Sequence, residues 1–270
     1  VVAEAAGYKP DWSKIKQGWK KILTMQFHDI LPGSSINEVY IEDCARNYTE
    51  IFRLSSEFIE SITGKASGKL IAVFNFLSWE RDAVCEYECA AAEVQNGETL
   101  CDMNGVPVPC EITVSGEKAK LVFEAQKLPS LGFKAYRLKA GNAVTGKTAE
   151  IKEKSGGYTV ETDGFIVEID RFGRISRLYD KASSRETLSA PANDIKLFHD
   201  GPQSEDAWNI YEIYMDRPVE MKWAVKMSIK ENGPSRAVIG VEKSAEKCKI
   251  SQDIIIYKNS PVIDFRTKVD

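Results

Sequence analysis

Histidine occurs only twice in these 270 residues, at His28 and His199, so each has to be weighed as a site of chemistry. His28 is followed directly by Asp29 in the run Gln26-Phe27-His28-Asp29-Ile30-Leu31-Pro32-Gly33-Ser34-Ser35. Imidazole nitrogen ligates zinc well, and a carboxylate accepts several hydrogen bonds at once. Side by side at a helix end, the two can reach out of it together toward a metal or a polar ligand. The same spacing also suits a helix cap or a surface pair. His199, in Phe198-His199-Asp200-Gly201, has no ligand-type partner at helical or Cys-x-x-Cys spacing and reads as a turn histidine.

Two helices must position His28 and Asp29. Trp12, Ile15, Trp19, Ile22, Leu23 and Phe27 recur at three- and four-residue intervals, which predicts a helix over 11–31 with Asp11 as N-cap and Pro32-Gly33 as its stop. Ser35 and Glu38 have the spacing of a capping box for a second helix, whose stripe of Ile36, Val39, Tyr40, Ile51, Leu54, Phe58, Ile59 and Ile62 runs to about Thr63. Gly64 fits as its C-cap. Two antiparallel helices bury one seam, so the outer faces of Trp12 and Trp19 need a further partner. The glycine-rich stretch 64–69 reads as a boundary.

Beyond it the pattern changes to short alternating segments: 70–74, 83–89, 106–114, 120–125 and 133–138. Asn-Gly and Ser-Gly turns separate them, as in a small antiparallel sandwich. Residues 138–157 read as a linker. A meander follows at 158–161, 165–169 and 175–179, with Asp170–Gly173 as one turn, then long strands at 223–231, 236–244 and 249–258. The fold class is therefore α+β and mainly β: an N-terminal antiparallel helical hairpin, a small antiparallel β-sandwich, and part of a larger β-sandwich domain. The expected divisions are 1–66, 67–142 and 150–270.

Composition narrows the function. A net charge of −4 with both signs interspersed argues against nucleic acid or an anionic membrane as partner. The longest apolar runs are far too short to span a bilayer. Six cysteines include no Cys-x-x-Cys pair. Cys85 and Cys89, on one face of a strand, lie about 13 Å apart, too far for a disulfide. Reduced thiols in a cytoplasmic protein are the expectation.

The run Trp19–Tyr40, WKKILTMQFHDILPGSSINEVY, resembles the signature of the family 38 α-mannosidases. VFNFLSWERDAV (73–84), GFIVEIDRFGRISRLYDKASSRETL (164–188), EDAWNIYEIY (205–214) and QDIIIYKNSPVIDFRTKVD (252–270) are similar to later parts of these enzymes, in the same order. The resemblance implies a central piece of a longer enzyme whose N-terminal catalytic β/α domain, carrying the catalytic carboxylates and most zinc ligands, is not in this chain. It implies retaining, zinc-dependent hydrolysis of terminal α-mannosides or mannose-containing oligosaccharides. By position, His28 would be one ligand of a catalytic Zn2+. Asp29 would contact the sugar in the zinc-side subsite or orient His28. Trp208 would pack at the pocket edge, with Asp206 lining it.

The carboxylates of this chain, Glu86 and Glu88 among them, alternate along strands and do not form the pair that glycoside hydrolysis needs, so the piece alone is expected to be inactive. Two other roles compete. A non-catalytic carbohydrate-binding β-sandwich module would need two or more aromatics exposed on one sheet face, and Trp79, Trp208 and Trp223 are scattered. A structural scaffold would use the helices to dock a partner.

Overall fold

The computed structural model describes residues 9, 11–63, 70–95, 97–141, 149–201, 204, 209–245 and 248–270. They fall into two compact units, 1–68 with 198–218, and 69–197 with 219–270.

In the first unit, helix α1 spans Trp12–Met25 and helix α2 spans Ala45–Thr63, entered through a π-helical turn at Val39–Cys44. Asp11 caps α1, its carboxylate accepting from the Ser13 amide at 3.0 Å. The helices pack against one another. Lys14 pairs with Glu57 at 2.8 Å and Lys21 donates to Asn47 at 3.1 Å, so early residues of one helix meet late residues of the other and the hairpin is antiparallel. Met25 of α1 is buried; Cys44, Ile51 and Leu54 are its counterparts on the second helical segment. Trp12, Trp19, Leu23 and Phe27 instead form an exposed row. The apolar positions of α1 are thus divided between a seam and an outer face.

Helix α1 stops at Met25, six residues before the end predicted by its periodicity. From Gln26 to Gly33 the chain makes successive tight turns, with Ile30 and Leu31 amides both donating to the Phe27 carbonyl. The Ser35–Glu38 capping box does not form: the Ser35 hydroxyl donates to the Asp29 carbonyl and its amide donates to the Tyr40 hydroxyl. The predicted Gly64 cap and the 64–69 boundary lie outside the described residues.

The second unit is built from antiparallel sheets. Its strands are β1 (Leu70–Asn75), β2 (Arg81–Ala90), β3 (Glu98–Asp102), β4 (Cys110–Ser115), β5 (Lys118–Leu128), β6 (Gly132–Ala140), β7 (Glu150–Lys154), β8 (Gly157–Glu161), β9 (Phe165–Ile169), β10 (Ile175–Asp180) and β11 (Arg185–Glu186). Two-residue strands β12 (Leu197–Phe198) and β13 (Pro218–Val219) pair with each other, and β14 (Ala224–Asn232), β15 (Arg236–Ala245), β16 (Cys248–Tyr257) and β17 (Ile263–Val269) complete the chain. His199 lies just past β12, exposed, with its amide bonded to the Arg217 carbonyl at 2.9 Å; it continues an extended segment and is not in a turn.

Sheets β1-β6-β3 and β2-β5-β4 enclose a core of Ile71, Leu100, Leu121, Phe123, Ala125, Leu128 and Tyr136. Sheets β11-β10-β9-β8-β7 and β14-β15-β16-β17 enclose a second, of Val160, Val167, Ile169, Ile175, Ile239, Val241, Ile254 and Ile256 among others. In both, every second residue of a central strand faces the core, Leu121, Phe123 and Ala125 on β5 and Ala237, Ile239 and Val241 on β15. The predicted linker 138–157 contains β7, and β3 joins the first sandwich where no strand is expected. Gly157 opens β8 where a Cβ would strike the Ile169 carbonyl on β9, so only glycine lets the two backbones meet there. All six cysteines are free thiols.

Polar side chains tie these layers together. Buried Asn75 donates to the carbonyls of Trp79 (2.8 Å), Leu128 (3.2 Å) and Pro129 (3.1 Å) and accepts from the Leu77 amide (3.1 Å). Arg236 on β15, its side chain only 2% exposed, pairs with Glu86 on β2 at 2.6 Å and with Glu231 on β14 at 2.7 Å. Arg266 on β17 joins Glu86 at 2.5 Å, and Lys120 on β5 pairs with Glu231. The hydrogen bond from Arg236 is the main cause that lowers the Glu86 carboxyl to about 2, against a burial effect that would raise it.

Two consequences are measurable. Asn75→Ala should cost about 2 to 3 kcal/mol of unfolding free energy, read from the urea midpoint, because it strands several backbone groups in the interior. Glu86→Gln should cost about 2 kcal/mol at neutral pH. Because the Glu86 pKa is lower folded than unfolded, that stabilisation is complete above its ordinary value of 4.5 and disappears as pH falls through about 2. Thermal melts of wild type and Glu86→Gln should therefore converge over that acidic window; a gap that stays constant would exclude the ion pair as its source.

A candidate active-site turn

The His28-Asp29 pair sits on the connection between α1 and the π-helical turn, and three hydroxyl groups fix the backbone there. The Asp29 carbonyl accepts from the Ser35 hydroxyl at 2.5 Å, the Ser34 hydroxyl at 3.4 Å and the Tyr40 hydroxyl at 3.4 Å. Tyr40 also donates to the Ile30 carbonyl at 3.1 Å and accepts from the Ser35 amide at 3.0 Å. Gly33, at φ +87°, takes the left-handed conformation that lets the chain reverse between the helices. With its carbonyls engaged this way, the turn leaves the His28 and Asp29 side chains to project.

Both do. The His28 side chain is 76% exposed and the Asp29 side chain 41%, with His28 Nε2 and Asp29 Oδ2 3.5 Å apart. The His28 ring leans on Phe27, centroids 4.3 Å apart at 45°. An accessible ring nitrogen and an accessible carboxylate at this separation form half of a site: they can ligate a metal in part, or accept hydrogen bonds from a hydroxylated ligand. Among the described residues no group of three or more His, Cys, Asp or Glu side chains is arranged to hold a metal ion. An imidazole nitrogen and a carboxylate oxygen are donor types that zinc accepts, and two donors fall short of the three or four that hold it. Trp208 and Asp206 lie outside the described residues.

Sequence reasoning singled out His28 and Asp29 and missed the residues that hold them. Ser34, Ser35 and Tyr40 lie within the same run, and Ser35 is expected there as a helix cap. Only the early end of α1 reveals that the hydroxyls bind the preceding turn.

Comparison with known proteins covers nearly the whole chain. Residues 1–65 match the alpha mannosidase middle domain, and residues 160–270 match the glycosyl hydrolases family 38 C-terminal domain. Alpha-mannosidase G of Dictyostelium discoideum is 24% identical over 299 residues, spanning 98% of this chain and 27% of its own. Human alpha-mannosidase 2C1 is 22% identical, spanning 100% of this chain and 24% of its own. The chain therefore spans about a quarter of the length of the curated relatives it matches. Among solved structures, a family 38 protein and an alpha-mannosidase, both from Enterococcus faecalis, share the fold at a TM-score of 0.70 with 13% and 14% identity. They cover 95% and 98% of this chain, and the matched part is 39% and 38% of theirs. With both of these domains matched in order along the chain, the protein belongs to glycosyl hydrolase family 38.

Proposed function

We propose that this chain is the middle and C-terminal portion of a retaining, zinc-dependent α-mannosidase acting on terminal α-mannosides of mannose-containing oligosaccharides. The observation that carries this reading is the exposed His28-Asp29 pair on a turn whose backbone is tied by Ser34, Ser35 and Tyr40. In the assembled site His28 gives a ring nitrogen to Zn2+, and Asp29 accepts hydrogen bonds from sugar hydroxyls. When bound, the zinc supplies a Lewis-acid contact that orients the sugar ring. Trp208 would offer an apolar face to the ring, with Asp206 beside it.

The nucleophile and the acid/base carboxylate belong to an N-terminal catalytic domain of the longer polypeptide. Retention requires two carboxyl groups about 5 to 5.5 Å apart, one with a raised pKa. The carboxylates at the junction of the sandwiches are committed otherwise: Glu86 and Glu231 are both held low by cationic partners, the reverse of what a proton donor needs. The chain alone is therefore inactive. Six free thiols suit a reducing, cytoplasmic setting. Among the described residues no helix is long and apolar enough to cross a membrane.

One observation favours a second role, a non-catalytic carbohydrate-binding module. Phe74 on β1 faces Phe133 on β6 with centroids 5.4 Å apart, and Phe76 stacks on Phe74 at 6.1 Å and 6°. Phe76 and Phe133 are exposed, so a strip of three aromatic rings exists that tryptophan positions alone do not suggest, with Phe133 tilted by 37° from Phe74.

Activity and metal content test the main reading. The purified 270-residue chain should not turn over an aryl α-mannoside. In a longer protein carrying the preceding catalytic region, His28→Ala should lose zinc and turnover together while its melting temperature stays nearly unchanged, since the side chain is largely exposed. Asp29→Ala should keep the metal and lose sugar affinity and rate. Full zinc content and wild-type turnover in His28→Ala would show the motif to be a packing feature of the turn.

A further inference from the structure

The His28-Asp29 turn is held without an apolar anchor. Among the described residues none between Met25 and Cys44 is buried, and Phe27, Leu31 and Ile36 are exposed. Its geometry therefore rests on hydrogen bonds, and these pin two consecutive peptide planes at both ends. In the plane after Asp29, the Ile30 amide donates to the Phe27 carbonyl at 2.9 Å while the Asp29 carbonyl accepts from the Ser35 hydroxyl at 2.5 Å. In the plane after Ile30, the Leu31 amide donates to the same Phe27 carbonyl at 3.0 Å. The Ile30 carbonyl there accepts from the Gly33 amide and the Tyr40 hydroxyl, each at 3.1 Å. A planar peptide held at both ends fixes ψ of the residue before it, so the direction of the Asp29 Cα–Cβ bond follows from these contacts.

Tyr40 joins the two ends of the turn. A phenol has one proton to give and can accept as well. The proton goes to Ile30, which is nearer than the Asp29 carbonyl at 3.4 Å, and the oxygen accepts from the Ser35 amide at 3.0 Å. One hydroxyl thus closes the chain from residue 30 to residue 35 around Pro32 and Gly33. It also sets Ser35 where its own hydroxyl reaches Asp29. Tyr40 lies on the π-helical turn Val39–Cys44, so the clip comes from the following helical segment.

We propose that Tyr40 is a positioning residue: its hydroxyl holds Ser35, and through Ser35 the Asp29 backbone, so that His28 and Asp29 present their donor atoms at one fixed separation. It touches neither metal nor sugar. The inference rests on the reading of this pair as part of a mannoside site, and adds to it a group whose loss loosens the site while both donors remain.

Tyr40→Phe removes the hydroxyl and keeps the ring. In the 270-residue chain, nuclear magnetic resonance should show exchange of the Ser35 amide quickened about three- to tenfold and order parameters at His28 and Asp29 lowered. The amides of Ile51 and Leu54 on α2 should keep wild-type protection. In a longer protein carrying the preceding catalytic region, Tyr40→Phe should lower kcat/KM for an aryl α-mannoside about tenfold and speed zinc loss to a chelator, at a near-native melting temperature. Ser35→Ala should act in the same direction and less than additively with Tyr40→Phe, since both break one chain of bonds, whereas Ser35→Thr keeps the hydroxyl and should retain activity. Should Tyr40→Phe fail to fold, Ser35→Ala carries the test. The inference is overturned if His28→Ala loses zinc and turnover while the folded Tyr40 and Ser35 variants keep wild-type kcat/KM and zinc retention, or if their activity falls only with their folded fraction. If His28→Ala keeps both zinc and turnover, the site reading itself fails, and unchanged Ser35 exchange in Tyr40→Phe is then what overturns the clip.

Discussion

The guanidinium of Arg236 is the constraint on which the second unit turns. It is buried on β15 of the larger sandwich and bridges Glu231 of its own sheet to Glu86 of the smaller one. A buried cation without partners would cost far more than a surface ion pair contributes, so the two sandwiches must meet where both carboxylates can reach it. Lys120 and Arg266 close the network from either side, and the Glu124–Asn259 hydrogen bond repeats the linkage farther along. Apolar packing fills each sandwich separately. The junction between them is specified by charge, which fixes orientation more sharply than a greasy contact of similar size.

The helical unit works differently. Its chemistry sits on a turn, where the side chains are free and the backbone is not. Hydroxyls from Ser34, Ser35 and Tyr40 converge on the consecutive carbonyls of Asp29 and Ile30, beyond the end of α1. This explains why an imidazole and a carboxylate more than two-fifths exposed can still be held at a defined separation.

Much of this was legible in the residues, for reasons that differ by element. In Phe165–Ile169 the buried positions alternate, whereas Arg236 through Val241 are buried without a break, so a continuous apolar run from Ala237 to Val241 marks that strand. The meander turn at Asp170 was visible too: its carboxylate accepts from the amides of Phe172 and Arg174, as such turns require. Strand β7, Glu-Ile-Lys-Glu-Lys, has one apolar residue and is an edge held by backbone pairing, so no hydrophobic pattern announces it. Periodicity carries the predicted α1 past its end at Met25 because Phe27 continues the apolar series although it is exposed. The Glu86–Arg236 pair joins residues 150 apart, and nothing local in either segment encodes the partner.

The narrowness of the α1–α2 seam has a thermodynamic consequence for the turn that it carries. Met25, Cys44, Ile51 and Leu54 are the buried apolar side chains of the described part of the hairpin, a small set beside either sandwich core. Regions with few buried contacts open locally at low free energy, without unfolding the rest. When the helices part, Tyr40 and Ser35 leave the Asp29 carbonyl, and the spacing of His28 and Asp29 is lost with them. Whatever binds the turn then sees only the closed fraction of molecules, and its apparent dissociation constant rises in inverse proportion to that fraction. Any contact that covers Trp12, Trp19 and the rest of the exposed row would raise the closed population, and so tighten binding at a turn it need not touch.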